Sequence, residues 1–342
     1  MNERLPSLED WKALYKAAVK LRDLGCWDWM HDSDLFGVQD TATGEIGYCC
    51  IMGALGQHFA LALYQGSEGL QGYMGIQSGE TNKDYMEILA SQKCLMVSFE
   101  DRKHLQKQDL EIIKRLGLQL RGRNAWPLFR SYLPGYHPWF LTGAEAARLT
   151  DALEQATDVA RRFKERPEML LPPPSKKDCV LVRAHQKERG AWCDEWVKPA
   201  PFESSKLIPE PLDEDLVARV KHAAGSRSGI WETDFFYLPG AVREKKERPW
   251  HPRVFLVQDH HSFFILTSHM EPPHPTTSFP GALLSFLAEW GHLPAEIRTK
   301  RAETYDILER LAAALRIKLT MVKRLPALED AMDAMDEFSS MW

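Results

Sequence analysis

The stretch DLFGVQDTATGEIGYCCIMG, residues 34–53, sets the fold class. Two apolar runs, 35–40 and 45–53, flank Thr41-Ala42-Thr43-Gly44, and that spacing predicts a hairpin whose loop ends at a glycine. Residues 58–65, after Gly56, read as a third strand. On the N-terminal side, beyond the turn-rich WDWMHDSD, stands the clearest helix. Ser7 caps it with Asp10 three residues on, Trp11, Leu14, Tyr15, Ala18, Leu21 and Leu24 share one face, and Gly25 stops it. A helix with one apolar stripe beside hairpin strands is the α+β arrangement, each element burying its apolar side against the other.

The same signals continue along the chain. GSEGLQGYMGIQSG (66–79) predicts a helix weakened by glycine, 93–100 a strand, 106–116 a helix ended by Gly117, and 118–121 a short strand. WPLFRSYLPGYHPW (126–139) is an extended, proline-rich piece. Thr142 with Glu145 forms a capping box that opens a helix to about Arg166. Pro172, Pro173 and Pro174 then read as a stiff linker, dividing an N-terminal α+β domain, 1–170, from a C-terminal one, 171–342. Beyond it come a hairpin (179–185 and 192–198, around Lys187-Glu188-Arg189-Gly190), a helix (214–224) and strands at 230–238, 253–259 and 263–269. Residues 281–342 close with helix 281–290, strand 296–300, helix 302–315, strand 317–323 and helix 326–338. The last four make a βαβα run with helices across one face. The expected architecture is two α+β parts, each a mostly antiparallel hairpin sheet with packed helices.

Three word pairs recur in the same order and suggest an internal repeat. GCWD before Asp34-Leu35-Phe36 matches GIWE before Asp234-Phe235-Phe236, FGVQD (36–40) matches FLVQD (255–259), and RLGLQL (115–120) matches ALRIKL (314–319).

The bulk numbers narrow the function. The 342 residues are 44% hydrophobic and 27% charged, a globular balance. A formal net charge of −5 disfavours a dedicated nucleic-acid binder, which carries a basic excess against phosphates. No run approaches the ~18 apolar residues of a membrane span, and MNERLPSLEDW lacks the apolar core of a secretory signal. Six scattered cysteines without C-x-x-C predict reduced, buried thiols and a cytoplasmic protein.

Few residues could carry chemistry. Asp28, His31, Asp32 and Asp34 form an acidic loop that could offer oxygen ligands to a hard cation; Asp and Ser in such a run also cap turns. Glu232 and Asp234 hold the matching place in the second part. Five histidines fall between 251 and 274, among them His260, His261 and His269; the first two are neighbours at a hairpin tip, so their side chains diverge. Hydrolase and phosphate-loop signatures are absent, and Gly69, Gly72 and Gly75 read as loosening a turn. Leu325, Leu328, Met332, Met335 and Phe338 form a stripe that either docks on the sheet or offers a partner surface. Arg243, Lys245, Lys246 and Arg248 read as a solvated basic loop, with phosphate contact the lesser option.

WKALYKAAVKL (11–21), the hairpin stretch with ALALYQGSEGL (60–70), and LPGYHPWFLTGAEAARLTDAL (133–153) carry a resemblance, continued by GIWETDFFYLP (229–239), LPAEIRTKRAETYDILERLAAAL (293–315) and KRLPALEDAMDAM (323–335). The chain resembles bacterial proteins built from two consecutive domains of unknown function. That resemblance spans nearly the whole chain and brings no assigned activity, ligand or site residue. The reading that results is a non-enzymatic cytoplasmic binding or regulatory protein without a cofactor. It would take a protein or small molecule in a cleft between the halves or a groove near the C-terminal helix. The alternative is a divalent-metal-dependent hydrolase or nuclease using the Asp28/Asp32/Asp34 loop and the histidine-rich hairpin.

Overall fold

The computed structural model describes residues 4–79, 85–186, 190–202, 207–223, 225, 227–243 and 247–340, apart from the side chains of Tyr85 and 336–340. The chain forms two compact units, Met1–Glu203 and Ser204–Trp342.

In the first unit, α1 (Leu8–Leu24) has the expected reciprocal Ser7–Asp10 capping box and stops at Gly25, φ 65°. There follow β1 (Phe36–Gln39), β2 (Ile46–Met52), β3 (Ala60–Gln65), α2 (Gly66–Ser78), α3 (Tyr85–Ser91), β4 (Cys94–Glu100), α4 (Lys107–Arg115), β5 (Trp126–Tyr132), α5 (Gly143–Glu165), β6 (Val180–Gln186) and β7 (Ala191–Val197). The sheet order is β5-β4-β3-β2-β1-β6-β7. Strands β1 to β5 are an antiparallel meander, β6 returns parallel to β1, and β7 folds back on β6. Helices α1 and α5 cover one face, packing Leu14, Ala18, Leu149, Leu153 and Ala156 on Ile51, Leu61, Leu63, Leu95 and Val97. The other face buries Tyr48, Cys50, Ala62, Tyr64 and Cys94 beneath Tyr73 of α2.

The glycines of α2 have a definite task. A Cβ at Gly72 would stand 2.4 Å from the Ser91 carbonyl oxygen, and one at Gly69 would stand 2.6 Å from that of Lys93. The Gly-x-x-Gly spacing therefore lets the helix lie directly on the chain entering β4; it forms neither a loosened turn nor a phosphate loop.

Two expectations for this half are corrected. Strands β6 and β7 lie beyond the triple proline yet complete the first sheet, so the unit ends near residue 203 and not at 170. Backbone pairing with β1 binds the chain more strongly than the prolines separate it. Residues 118–121 form no strand; Gly117, Gly122 and Asn124 take left-handed φ, while Leu118 and Leu120 reach the core from a loop. The extended proline-rich piece is the edge strand β5, where the missing N–H of Pro127 costs no central ladder bond. The turn residues Lys187, Glu188 and Arg189 lie outside the described residues.

The second unit contains β8 (Ile208–Pro209), α6 (Glu214–Ala223), β9 (Ile230–Tyr237), β10 (Arg253–Asp259), β11 (Ile265–Glu271), β12 (Thr276–Thr277), α7 (Phe279–Trp290), β13 (Glu296–Thr299), α8 (Ala302–Leu315), β14 (Lys318–Met321) and α9 (Pro326–Ser340). Its main sheet runs β11-β10-β9-β13-β14, with β9, β13 and β14 parallel and β10 antiparallel to both neighbours. Helices α6, α7 and α8 pack Val217, Val220, Leu284, Leu287, Ile307 and Leu311 on Trp231, Phe255, Val257 and Ile297. Helix α9 covers the opposite face, setting Leu325, Leu328 and Ala331 on Phe236, Val254 and Leu256, with Met332 and Met335 beside them. The C-terminal helices thus take both faces of the sheet rather than one, and the α9 stripe docks on the sheet. The side chain of Phe338 lies outside the described residues.

The repeated words fall on non-equivalent places. FGVQD is in β1, which has one parallel neighbour, whereas FLVQD is in β10, which has none. RLGLQL leaves its helix for a loop, ALRIKL for β14. The strand orders nevertheless correspond when β1 is matched to β9: β3-β2-β1-β6-β7 against β11-β10-β9-β13-β14. Directions agree except at the last strand, antiparallel in β7 and parallel in β14.

Substituting Gly72→Ala should lower unfolding stability by about 2 kcal/mol, because overpacking against a carbonyl outweighs the gain in helix propensity. Gly281→Ala, on open helix surface, should be neutral or stabilise by up to ~1 kcal/mol. Chemical denaturation of both variants checks the pair.

Candidate functional site

Strand β9 is central, with helices on both faces, so its polar side chains have no route to water. Glu232 and Asp234 are 0% and 3% exposed. A buried carboxylate persists only if its oxygens are hydrogen-bonded, and here backbone N–H groups do this. Asp234 Oδ2 accepts from the amides of Lys300 (3.0 Å) and Arg301 (2.8 Å), and Oδ1 from the Thr304 hydroxyl (2.5 Å), at the start of α8. Glu232 Oε2 accepts from the amides of Ala327 (2.9 Å) and Leu328 (3.2 Å) in the first turn of α9. One strand thus caps two helices, and negative charge at a helix N-terminus is favoured by the helix dipole.

The other oxygen of Glu232 bonds His260 Nδ1, and Arg298 Nη1 lies 3.3 Å from His260 Nε2. An arginine N–H only donates, so Nε2 accepts and the ring proton on Nδ1 points at Glu232. His261 is exposed, with its ring edge-on to that of His260. The hairpin tip is held by Asp259, which accepts from the amides of His261 (3.1 Å) and Ser262 (2.8 Å).

His269 belongs to a different cluster. Its Nε2 is 2.9 Å from Ser278 Oγ and 3.3 Å from Glu271 Oε2. A nucleophile–base–carboxylate relay needs serine and carboxylate on opposite ring nitrogens; here both address one nitrogen, whose proton the carboxylate claims. Arg253 donates to Glu271 Oε1 from Nε (3.1 Å) and Nη2 (2.5 Å). Burial alone would raise the Glu271 carboxyl, but hydrogen bonds from His269, Thr277 and Arg253 outweigh it and hold it at about 2. This cluster ties β10 and β11 to the start of α7.

In the first unit the acidic loop is a set of turns. Asp34 Oδ2 accepts from the His31 amide at 2.7 Å, and the Asp32 carbonyl accepts from the Tyr73 hydroxyl at 2.8 Å. Asp28 sits in a short 3₁₀ turn, its side chain in solvent like those of His31 and Asp32. Among the described residues, no group of three or more His, Cys, Asp or Glu side chains is placed to hold a metal ion. The structure joins Glu232 with His260, sets the exposed His261 beside that ring, and leaves Asp234 and His269 in separate surroundings. A polar hub that the sequence did not announce centres on Arg148 of α5, which bonds Asp40, Glu45 (2.9 Å) and Gln65 (2.8 Å). Burial would raise Asp40, yet the amides of Ala42 and Thr43 and the Arg148 guanidinium hold it below the usual carboxylate range. Nearby Asp151 is pushed up by burial, against the Thr41 hydroxyl.

Cations gather where β9, β13 and β14 end. Because β13 and β14 are parallel neighbours, the loops after them share one edge of the sheet, the edge where ligands enter open α/β sheets. Each loop carries a Lys-Arg pair, Lys300-Arg301 and Lys323-Arg324, and no carboxylate. Arg301 donates to the Phe235 carbonyl and lies 4.8 Å from that ring's centre. Arg324 pairs with Glu329 (2.5 Å), while Lys300 and Lys323 are exposed. Arg243 and Arg248 lie in the connection after β9; Lys245 and Lys246 are outside the described residues. A cavity of 210 Å³ between the last turns of α6 and α7, lined by Leu216, Val220, Leu287 and Leu293 with Arg219 and His292, is smaller than the ~300 Å³ at which small-molecule pockets begin.

Comparison with protein families matches residues 11–183, half the chain, to the domain of unknown function DUF7309. The chain belongs to the DUF7309 family. Residues 216–336 match a second domain of unknown function, DUF6930. The DUF7309 match ends inside β6, in keeping with that strand's place in the first sheet, and the DUF6930 match runs from α6 into α9. No curated protein matches the chain. Sequence reading of the DUF6930 segment missed Arg298, the Arg253–Glu271 pair and the two Lys-Arg loops. The signal for the last was present, a Lys-Arg pair directly before a helix start after each of two successive strands.

Asp234→Asn should cost about 3 kcal/mol, since an amide cannot accept from three donors with both of its heavy atoms; denaturant unfolding measures it. The Glu271 carboxyl is held near 2 against an ordinary 4.5, so its stabilisation is complete above pH 4.5 and is lost as pH falls towards 2. Wild type should lose on the order of 2 kcal/mol through this group over that window. In Glu271→Gln that part of the acid limb should be missing from stability measured against pH.

Proposed function

We propose that the protein is a non-enzymatic binding protein whose second unit presents its binding surface along the edge where β13 and β14 end. The observation that carries this reading is the division of charge at that edge. Asp234 and Glu232, the carboxylates best placed for acid–base work, are withdrawn into helix caps, while four cations remain on the two loops beside them. A general base must reach a substrate proton; oxygens filled by backbone amides of α8 and α9 do not. Cations on loops held by a rigid sheet suit recognition of an anionic group. A cytoplasmic setting belongs to the same reading: the six cysteines are free thiols, four of them buried, and no described helix is long and apolar enough to cross a membrane.

The test is ligand capture from source-cell lysate by wild type and by a Lys300→Glu/Lys323→Glu variant, with protein, nucleic acid and small molecules identified by mass spectrometry. At least one species should be held by wild type and released by the variant. Hydrolysis of phosphodiester or ester substrates in the presence of Mg²⁺ or Mn²⁺, above a no-protein control, would sink the non-enzymatic reading.

A further inference from the structure

We infer that the edge formed by Lys300, Arg301, Lys323 and Arg324 binds phosphoryl oxyanions, the groups borne by a nucleic-acid backbone or by a free polyphosphate. The inference rests on the binding reading above and names its ligand class.

The placement is a consequence of topology. β13 and β14 pair in register from Glu296 with Lys318 to Thr299 with Met321, so both chains leave the sheet at one level. Strands stand about 4.8 Å apart, which brings the two Lys-Arg pairs side by side although they are 23 positions apart in sequence. Separately, each pair is an ordinary solvated loop; together they are four cations on one edge. Two of the four meet carboxylates, Arg301 Nε 3.9 Å from Asp234 Oδ1 and Arg324 on Glu329, so the charge left over is that of Lys300 and Lys323. Asp234 and Glu232 are turned inward, and Glu329 is committed to Arg324.

Lys300 and Lys323 form no ion pair among the described residues. Their ammonium groups are point charges with three donors each, and Arg324 adds a planar fork that an exposed surface pair holds weakly. A carboxylate offers two oxygens and a single charge, and the Arg324 fork places both of its bonds on one oxygen of Glu329. A phosphate, with more acceptor oxygens and higher charge, can take the fork and a lysine at once. This favours phosphoryl groups over the side chains of an acidic peptide. The amides at the starts of α8 and α9 are filled by Asp234 and Glu232, so side chains hold the ligand. The overall charge of −5 is compatible with a local site, since exposed charges beyond a Debye length of about 8 Å are screened.

The experiment uses the full chain in calorimetric and fluorescence titrations with inorganic tripolyphosphate, a labelled 20-nucleotide single-stranded DNA and a polyglutamate peptide. Saturable binding of tripolyphosphate or the oligonucleotide is expected. It should weaken at least tenfold in Lys300→Glu/Lys323→Glu while the thermal midpoint stays put. Four contacts predict a log–log salt slope of about −3 for the oligonucleotide, falling to about −1.5 when two are removed. Binding of tripolyphosphate alone assigns the source to small phosphates, binding of the oligonucleotide alone to a nucleic-acid backbone; either supports the inference. Failure of both, or equal binding by the variant, overturns it. Polyglutamate binding as tight as tripolyphosphate, lost in the same variant, would overturn the phosphoryl assignment and leave the binding reading standing.

Discussion

Two carboxylates on the central strand of the second sheet fix where two of its helices begin. Placing Glu232 and Asp234 where both faces of the sheet are covered costs several kcal/mol per ion unless each oxygen finds a donor. The donors at hand are the amides with which every helix begins and which no intrahelical bond uses. Strand β9 therefore fixes where α8 and α9 start, and α9 in turn seals the face built from Phe236, Val254 and Leu256. His260 and Arg298 extend the arrangement to the tip of the β10–β11 hairpin and to β13, so that four strands and two helices share one electrostatic constraint.

The first unit solves a similar problem with the signs reversed. There a cation, Arg148 on α5, reaches over the sheet and collects Asp40 and Glu45 from the ends of the β1–β2 loop together with Gln65 from β3. Each unit thus fastens a helix across the end of its strands with a charged group whose partners come from different elements. The strand order is common to both sheets, with a parallel return beside the first strand of an antiparallel meander. What differs is the last connection. A hairpin leads to β7, whereas α8 leads to β14, and only the second kind delivers two loops to one edge.

That difference decides where a ligand could be met. A parallel pair joined by a helix places both β-to-α turns on the same side of the sheet, and in this chain each turn carries a lysine and an arginine. The caps keep negative charge out of the surface and leave the cations in it. Internal carboxylates and external cations are two halves of one arrangement, because an uncapped helix start would itself compete for any anion that approached.

Local chemistry was legible throughout the chain. The Ser7–Asp10 and Thr142–Glu145 boxes, the glycine stops at Gly25 and Gly117, the Thr41–Gly44 loop and the βαβ run after Trp290 all depend on neighbours within a few residues, and a sequence displays such neighbours directly. The α+β class followed from them. The unit boundary did not, because a triple proline is a local signal while the pairing of β6 with β1 joins positions more than 140 apart. The carboxylates Glu232 and Asp234 stood out by type, but their role as caps depends on Lys300, Arg301, Ala327 and Leu328 arriving from elsewhere. The same holds for the basic edge, whose four residues are two unremarkable pairs until parallel strands bring them to one level. The sequence by itself determined most of the elements; only the tertiary structure decided which charges are buried and which face water. Burial and convergence are properties of chain segments distant in sequence, and no local pattern encodes their meeting.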